Sequence, residues 1–169
     1  MNGNFSKSFE YVLDDEGGFS DNKKDPGGAT NRGVTLRTWE DWQRRQVSVQ
    51  EIRDLTVDQV LPLYRARYWD AVKADLLPNG VDYLVFDTAV NCGVSNAIKF
   101  IQQSLGVKDD GVIGPVTLTA IRTVDVDHLI DQYTQLRQKH YESLPTFDEF
   151  GEGWMNRAKR VAERAIELS

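Results

Sequence analysis

Two carboxylates near the N-terminus, Glu16 and Asp25, have the residue type and the spacing for acid–base chemistry. They lie in the stretch 14–35, which is rich in Gly, Asp, Asn, Thr and Ser and is predicted to be a loop or a short hairpin. Two acids that face one cleft hydrolyse a glycosidic bond: one protonates the leaving oxygen, and the other orients water, attacks, or stabilises the oxocarbenium ion. Thr30 and Asn31 follow in the same stretch and have side chains that hold water or a sugar hydroxyl.

Glu16 is expected on the last turn of an N-terminal helix. Residues 5–16 carry apolar side chains at helical spacing, namely Phe5, Phe9, Val12 and Leu13. Gly17 and Gly18 are expected to end this helix in a left-handed conformation. The negative end of the helix dipole disfavours a charged Glu16, which suits a general acid. The alternative is a solvated helix-end Glu16, followed by an ordinary turn at residues 25–28.

Other catalytic chemistries have weaker signals, and no metal site is expected. His128 and His140 belong to no recognised pair of metal ligands. Residues 21–25 are similar to the start of a calcium loop, but Pro26 stands where that loop requires glycine. Cys92 follows a segment that reads as a buried helix, so we interpret it as a structural thiol rather than a nucleophile.

Two polar residues in the second half of the chain, Asp87 and Asn91, are further candidates for ligand binding, and a third, Asp110, reads locally only as part of a turn. Asp87 lies in a nearly continuous apolar segment, where a charge must be paired or must lie at the edge of a cleft. Asn91 begins a break at residues 91–93 where a backbone can approach a ligand, although an ordinary helix-end turn explains it equally well. Asp110 opens a turn that leads into a short helix with Pro115 at its first position.

Composition and charge limit the classes of protein to which the chain can belong. Its 169 residues suffice for one sizeable core. The net charge of −6 and a pI near 4.9 argue against a nucleic-acid-binding protein. A single cysteine excludes an internal disulfide. Because the sequence shows neither a secretory signal nor an apolar membrane span, we expect synthesis in the cytoplasm and no stable membrane insertion.

The periodicity predicts a mostly α protein. Helix caps are expected at Thr35, Ser48, Thr56 and Ser95, and the second and third of these match the capping-box pattern. The segment 81–90 is apolar nearly all round and is predicted to be a buried central helix. No linker rich in Pro, Gly or Ser divides the chain, so two halves that meet near residues 75–80 are expected to pack into one globule.

Several of these segments together carry a family resemblance. They are residues 16–20 (EGGFS), 25–35 (DPGGATNRGVT), 64–69 (YRARYW), 86–94 (FDTAVNCGV), 110–118 (DGVIGPVTL) and 153–157 (GWMNR). In these segments the chain resembles the glycoside hydrolase family 108 muramidases, which are bacteriophage endolysins and related bacterial lysozymes. The resemblance covers nearly the whole chain, and its segment 110–118 looks like the peptidoglycan-binding region of that family.

The resemblance implies a lysozyme-like helical fold with a catalytic region at 1–78 and a peptidoglycan-binding region at 79–169. It implies that Glu16 is the catalytic acid, and the order Glu16, Asp25, Thr30 is similar to that of phage-type lysozymes. It implies hydrolysis of the β-1,4 bond between N-acetylmuramic acid and N-acetylglucosamine, without a cofactor. The residues expected to bind the substrate are Asn31, Asp87, Asn91 and Asp110.

The expected partners are peptidoglycan glycan strands, and the expected state is a monomer. By the same resemblance, the protein would accumulate in the host cytoplasm and reach the periplasm after a holin-type membrane lesion. Two other functions stay open. One is a non-catalytic peptidoglycan-binding module, and the other is a stem-peptide amidase, against which the lack of a plausible zinc set counts.

Overall fold

The computed structural model of the chain describes residues 4–21 and 28–169, so Asp25 lies outside the described residues. About 68% of the chain is helical, with nine helices and one two-stranded sheet in the described part. The predicted fold class, mostly α and lysozyme-like with a short hairpin near the N-terminus, is confirmed. No helix among the described residues is both long and apolar enough to cross a membrane.

The elements follow one another along the chain with short connections. The helices are α1 (Phe5–Asp15), α2 (Leu36–Gln43), α3 (Val49–Arg53), α4 (Val57–Tyr64), α5 (Val81–Cys92), α6 (Val94–Ser104), α7 (Pro115–Ile121), α8 (Val126–Glu142) and α9 (Phe147–Leu168). Strands β1 (Thr30–Asn31) and β2 (Val34–Thr35) lie between α1 and α2. A π-helical turn at Arg65–Trp69 and a 3-10 turn at Ala74–Leu76 separate α4 from α5.

The chain divides into two compact units. The smaller unit is Phe9–Arg67, and the larger unit is Met1–Ser8 with Tyr68–Ser169. The smaller unit contains the hairpin and helices α2 to α4, whereas the larger unit contains α5 to α9. The functional division between residues 78 and 79 stays a prediction.

Short-range sequence signals place most of the helix starts correctly. The side chain of Thr35 accepts a hydrogen bond from the first turn of α2, and complete capping boxes at Ser48 and Thr56 open α3 and α4. The cap predicted at Ser95 is wrong, because α6 begins at Val94 and its N-cap is Gly93, two residues before the predicted cap. Gly93 has φ +88° and ψ 150°, a conformation that glycine adopts without steric cost.

The core of the larger unit is built around α5, as the sequence predicts. Every residue from Val81 to Ala89 is buried. Three aromatic rings, Phe5, Trp69 and Phe86, meet edge to face with centroids 5.2 to 6.0 Å apart. Such a helix has no solvated face, so each polar side chain on it needs a partner inside the protein.

Asp82, on the first turn of α5, gives the fold a dependence on pH. Its residue is 5% exposed, and its Oδ1 accepts hydrogen bonds from Tyr83 N at 2.7 Å and Asn4 Nδ2 at 3.4 Å. Burial raises the pKa of this carboxyl to about 6. Between about pH 4 and pH 6, the Asp82 carboxyl is therefore protonated in the folded state and ionised in the unfolded state. The stability gained in this way is present below about pH 4 and is lost as the pH rises through about 6.

Asp82→Asn is expected to stabilise the fold at pH 7.5 by about 1–2 kcal/mol and to have no such effect at pH 4, as measured by urea unfolding at both values. The matched control is Asp58→Asn, which alters the corresponding first-turn position of α4 at an exposed site. This control loses a favourable helix-dipole contact and should be slightly destabilising at pH 7.5. Equal effects of Asp82→Asn at the two pH values would contradict the assignment.

Candidate active site

Glu16 lies immediately after α1, and its side chain is half-buried. Its backbone N–H donates to the carbonyl oxygen of Val12 at 3.1 Å, so the residue continues the hydrogen-bond pattern of the helix. The predicted stop at Gly17 and Gly18 is wrong in detail, because neither glycine has a positive φ. The helix ends before these glycines, and its last hydrogen bond holds the Glu16 backbone in place.

The hairpin that follows has a two-residue connection. Strands β1 and β2 pair antiparallel, with Thr30 opposite Thr35 and Asn31 opposite Val34. Arg32 and Gly33 connect them with φ values of +51° and +72°. Positive φ at both positions is the geometry of a type I′ turn, which matches the twist of paired strands. The turn therefore explains why a glycine is needed at position 33.

The Glu16 carboxylate packs against the bare Cα of Gly33. A β-carbon at position 33 would lie 2.9 Å from Glu16 Oε2 and 3.1 Å from Glu16 Cγ, and it would overlap the hydroxyl of Tyr64. The Tyr64 hydroxyl donates to the carbonyl oxygen of Arg32 at 2.9 Å, and the Tyr64 ring is buried. The acid, the phenol and the hairpin turn thus meet at one point in the smaller unit. The sequence did not single out Tyr64 as a site residue, although it begins the segment 64–69 that carries the family resemblance.

Asn31 fastens the hairpin to the helix beside it. Its residue is 7% exposed, and its Nδ2 donates to the carbonyl oxygens of Ile52 at 3.0 Å and Arg53 at 2.9 Å. These carbonyls lie at the C-terminus of α3, where a helix leaves its last acceptors without partners. Both amide hydrogens of Asn31 are used in this way. We therefore assign its side chain to positioning the hairpin, and its predicted contact with substrate stays a prediction.

Thr30 lies on strand β1 of the same hairpin. It forms two backbone hydrogen bonds with Ser20, at 2.7 and 2.8 Å, and its Oγ1 donates to the carbonyl of Gly28 at 3.4 Å. The structure thus places Thr30 in the same hairpin whose turn contacts the Glu16 side chain. Asp25 lies outside the described residues, so the catalytic role predicted for it stays a prediction.

The segment after Glu16 is anchored at its far end and open in its middle. The guanidinium of Arg53 lies 4.3 Å from the ring centroid of Phe19, a cation–π contact. Between these points, a β-carbon on Gly17 or Gly18 would meet no described atom within 4 Å. Packing within the described residues therefore does not explain the two glycines, whereas a ligand that approaches the backbone beside Glu16 would.

Asp87 is fully buried in the larger unit and is paired with two arginines. Its Oδ1 lies 2.7 Å from Arg137 Nη2, and its Oδ2 lies 2.8 Å from Arg157 Nη2. Burial alone would raise the pKa of Asp87, but the charges of the two arginines outweigh it and lower the pKa. A carboxylate with no exposed surface does not touch a polymer in this conformation, so the structure gives Asp87 a structural role instead of the predicted contact.

The other two predicted binding residues are exposed. Asp110 Oδ1 accepts from Gln102 Nε2 at 2.8 Å and from Val112 N at 3.0 Å, and these hydrogen bonds lower the pKa of its carboxyl. It therefore closes the turn before α7, and its other oxygen stays available. Asn91 lies near the end of α5, where its side-chain oxygen accepts from Tyr141. Neither residue belongs to the smaller unit that contains Glu16.

Comparisons with known proteins match two family models to the chain, and the first extends beyond the smaller unit to the end of α5. A family model described as Glycosyl hydrolase 108 matches residues 9–93, and one described as Predicted Peptidoglycan domain matches residues 96–159. The structure is similar to that of SagA from Brucella abortus, with 43% sequence identity and a TM-score of 0.90. That match covers 100% of this chain and 97% of the SagA chain. No curated protein matches the sequence.

Proposed function

Because the chain belongs to the glycosyl hydrolase 108 family and carries a peptidoglycan-binding domain, we propose that it is a muramidase of the endolysin type. The family and the second domain support a glycoside hydrolase that acts on peptidoglycan. The bond that we assign is the β-1,4 link between N-acetylmuramic acid and N-acetylglucosamine. The observation that carries the proposal is the contact of the Glu16 carboxylate with the hairpin turn, beside the hydroxyl of Tyr64.

In this proposal, protonated Glu16 donates its proton to the glycosidic oxygen as the bond lengthens. The backbone hydrogen bond to α1 and the packing against Gly33 hold the carboxyl in one position, so little ordering is needed at the moment of reaction. Tyr64 holds the hairpin turn against the acid through its hydrogen bond to the carbonyl oxygen of Arg32. Asp25, or a water molecule held by Asp25 and Thr30, would stabilise the positive charge that develops on the sugar.

The backbone beside Glu16 also leaves room for a bulky polymer. Gly17 and Gly18 leave space on the chain beside the acid, so backbone amides can approach N-acetyl or hydroxyl groups closely. The peptidoglycan domain match lies within the larger unit, which we propose keeps the enzyme on the wall between cleavages. An acidic chain gains little from long-range attraction to an anionic wall, so its binding depends on such local contacts.

The products of wall digestion test the reaction. Purified peptidoglycan is digested, the new reducing ends are reduced with borohydride, and the products are analysed by mass spectrometry. We expect intact disaccharide-peptides that end in reduced N-acetylmuramic acid, together with clearing of permeabilised Gram-negative cells as an endolysin requires. Reduced N-acetylglucosamine would show a glucosaminidase, and free stem peptides would show an amidase. Binding to the wall without any product would show a non-catalytic module, and each of these three results would overturn the proposal.

A further inference from the structure

Asn91 is an exposed residue whose side chain is held by a chain of buried polar groups. Its Oδ1 accepts a hydrogen bond from the Tyr141 hydroxyl at 2.5 Å. Tyr141 in turn accepts from Arg137 Nε at 2.7 Å, and Arg137 pairs with Asp87. Asp87 and Arg137 have no exposed surface, and Tyr141 is 2% exposed. Exposed polar side chains usually form their hydrogen bonds with water, whereas the Asn91 oxygen is bonded to a series of buried polar groups.

The direction of every hydrogen bond in this chain is fixed by chemistry. A guanidinium only donates, so the Tyr141 oxygen must act as the acceptor for Arg137. The hydroxyl hydrogen of Tyr141 is then directed to Asn91. Burial raises the pKa of Tyr141, so the hydroxyl keeps its proton throughout the neutral range. Asp87 in turn stabilises the charge on Arg137 at the start of the chain.

These bonds determine which side of the Asn91 amide faces outward. The thiol of Cys92 lies 3.3 Å from Asn91 Oδ1 and 3.6 Å from the Tyr141 oxygen, so its single hydrogen can be donated to either oxygen. With the Tyr141 hydroxyl donating to the oxygen, the amide group is oriented with Oδ1 toward the protein and with its NH2 group on the other side. Because Asn91 is exposed, that NH2 group is presented at the surface as an oriented donor.

An aromatic side chain stacks on Tyr141, the residue that holds the Asn91 amide. The Trp154 ring stacks on the Tyr141 ring with centroids 5.5 Å apart and an interplanar angle of 30°, and Trp154 is half-buried. Phe150, one helical turn earlier on α9, is 48% exposed and contacts the Trp154 ring at 5.8 Å. An aromatic face carries negative potential and attracts the weakly positive C–H bonds of a sugar ring. A donor and an aromatic surface, both in contact with Tyr141, are the kinds of group that bind an N-acetyl sugar.

We propose that Asn91 and Trp154 form a glycan subsite that binds an N-acetylhexosamine unit, in which Asn91 Nδ2 donates to the acetamido carbonyl and the sugar packs on Trp154. Tyr141 and Arg137 are positioning residues that orient the Asn91 amide. The inference rests on the proposed function for the identity of the ligand.

The buried end of this network also has a structural role, because Asp87 links α5 to Arg137 on α8 and to Arg157 on α9. A buried ion pair gains little net stability over well-packed apolar side chains of similar volume, because two charges must be desolvated. The network does, however, transmit a fixed orientation from the core to one surface amide. Binding favours such pre-orientation, since an amide that is already ordered loses little entropy when the ligand arrives.

The test compares two variants with one control. The two variants separate hydrogen-bond donation by Asn91 from packing of the Tyr141 ring on Trp154. Asn91→Asp keeps the acceptor for Tyr141 but removes the outward NH2 group, and Tyr141→Phe keeps the ring against Trp154 but frees the Asn91 amide. The control is Tyr133→Phe, which removes a buried hydroxyl from the same helix, α8, where it donates to the carbonyl of Ala97 at 3.2 Å. All are made in a Glu16→Gln background so that the ligand is not consumed, and thermal melts confirm folding.

Calorimetry measures binding to peptide-free glycan strands, prepared by amidase treatment of peptidoglycan, and separately to free stem tetrapeptide. We expect Asn91→Asp and Tyr141→Phe to weaken glycan binding by about fivefold or more, and Tyr133→Phe to leave it unchanged within about twofold. Equal losses in Tyr141→Phe and Tyr133→Phe, or unchanged binding in Asn91→Asp, would overturn the subsite. Binding of the tetrapeptide but not of the glycan would also overturn it. Failure of the muramidase proposal appears elsewhere, in the digestion products of the wild-type enzyme.

Discussion

Replacing Glu16 with glutamine is expected to lower the rate of wall hydrolysis by about a thousandfold or more, with the fold and wall binding unchanged. Glutamine has nearly the same shape, so it can keep the packing against Gly33 and the backbone hydrogen bond to α1. It has no proton to give to a leaving oxygen. The loss should appear in kcat, because the acid acts in the transition state rather than in binding. The measurement is the release of reducing ends from purified peptidoglycan.

Two further variants serve as controls for Glu16→Gln. Glu10→Gln neutralises an exposed glutamate on the same helix and should retain full activity. Glu16→Asp keeps the acid but withdraws it by one methylene, and it should also lose most activity, since a small misplacement of an acid is costly. If Glu16→Gln retained a tenth or more of the wild-type rate while folding normally, Glu16 would not be the proton donor. The family membership of the chain would stand in that case.

The helices and their starts could be predicted from the sequence because they depend on neighbours in the chain. The capping boxes at Ser48 and Thr56 and the cap at Thr35 involve residues three positions apart, and all three are confirmed. The buried segment 81–90 is equally visible, since an all-round apolar helix has only one stable environment. Ser95 shows the limit of such signals, because the N-cap of α6 is Gly93, a glycine with positive φ that lies two residues before the expected cap.

The site was predictable only in part, because its contacts join distant parts of the chain. Glu16 and the hairpin could be identified from residue type and from the resemblance. The apposition of Glu16, Gly33 and Tyr64 could not, since Tyr64 lies on another helix and reads as core. The two carbonyls that Asn31 satisfies lie more than twenty positions away. For Asp87, the sequence required pairing or a cleft edge, and the structure shows the pairing that local patterns could not name.

The second large effect concerns stability. Asp87→Asn is expected to destabilise the fold by about 3–5 kcal/mol at pH 7, because it leaves Arg137 and Arg157 buried without their counter-ion. The pKa of Asp87 is lowered in the folded state. Its contribution to stability is therefore present above the pKa of an unfolded aspartate, near 4, and is lost as the pH falls through the lower folded value. Urea unfolding at pH 7 measures the loss.

A double-mutant cycle shows whether the loss arises from the pairing itself. Arg137→Met in the Asp87→Asn background removes one of the two buried cations left without a partner, so the double variant should lose much less than the sum of the single losses. Glu51→Gln is the control for ion pairs in general. It removes the exposed pair with Arg45, 2.6 Å apart, while glutamine preserves the capping box, so its effect should be small. Additive losses at Asp87 and Arg137 would mean that the two side chains stabilise the fold independently, and the pairing would then not be the reason that a charge is buried on α5.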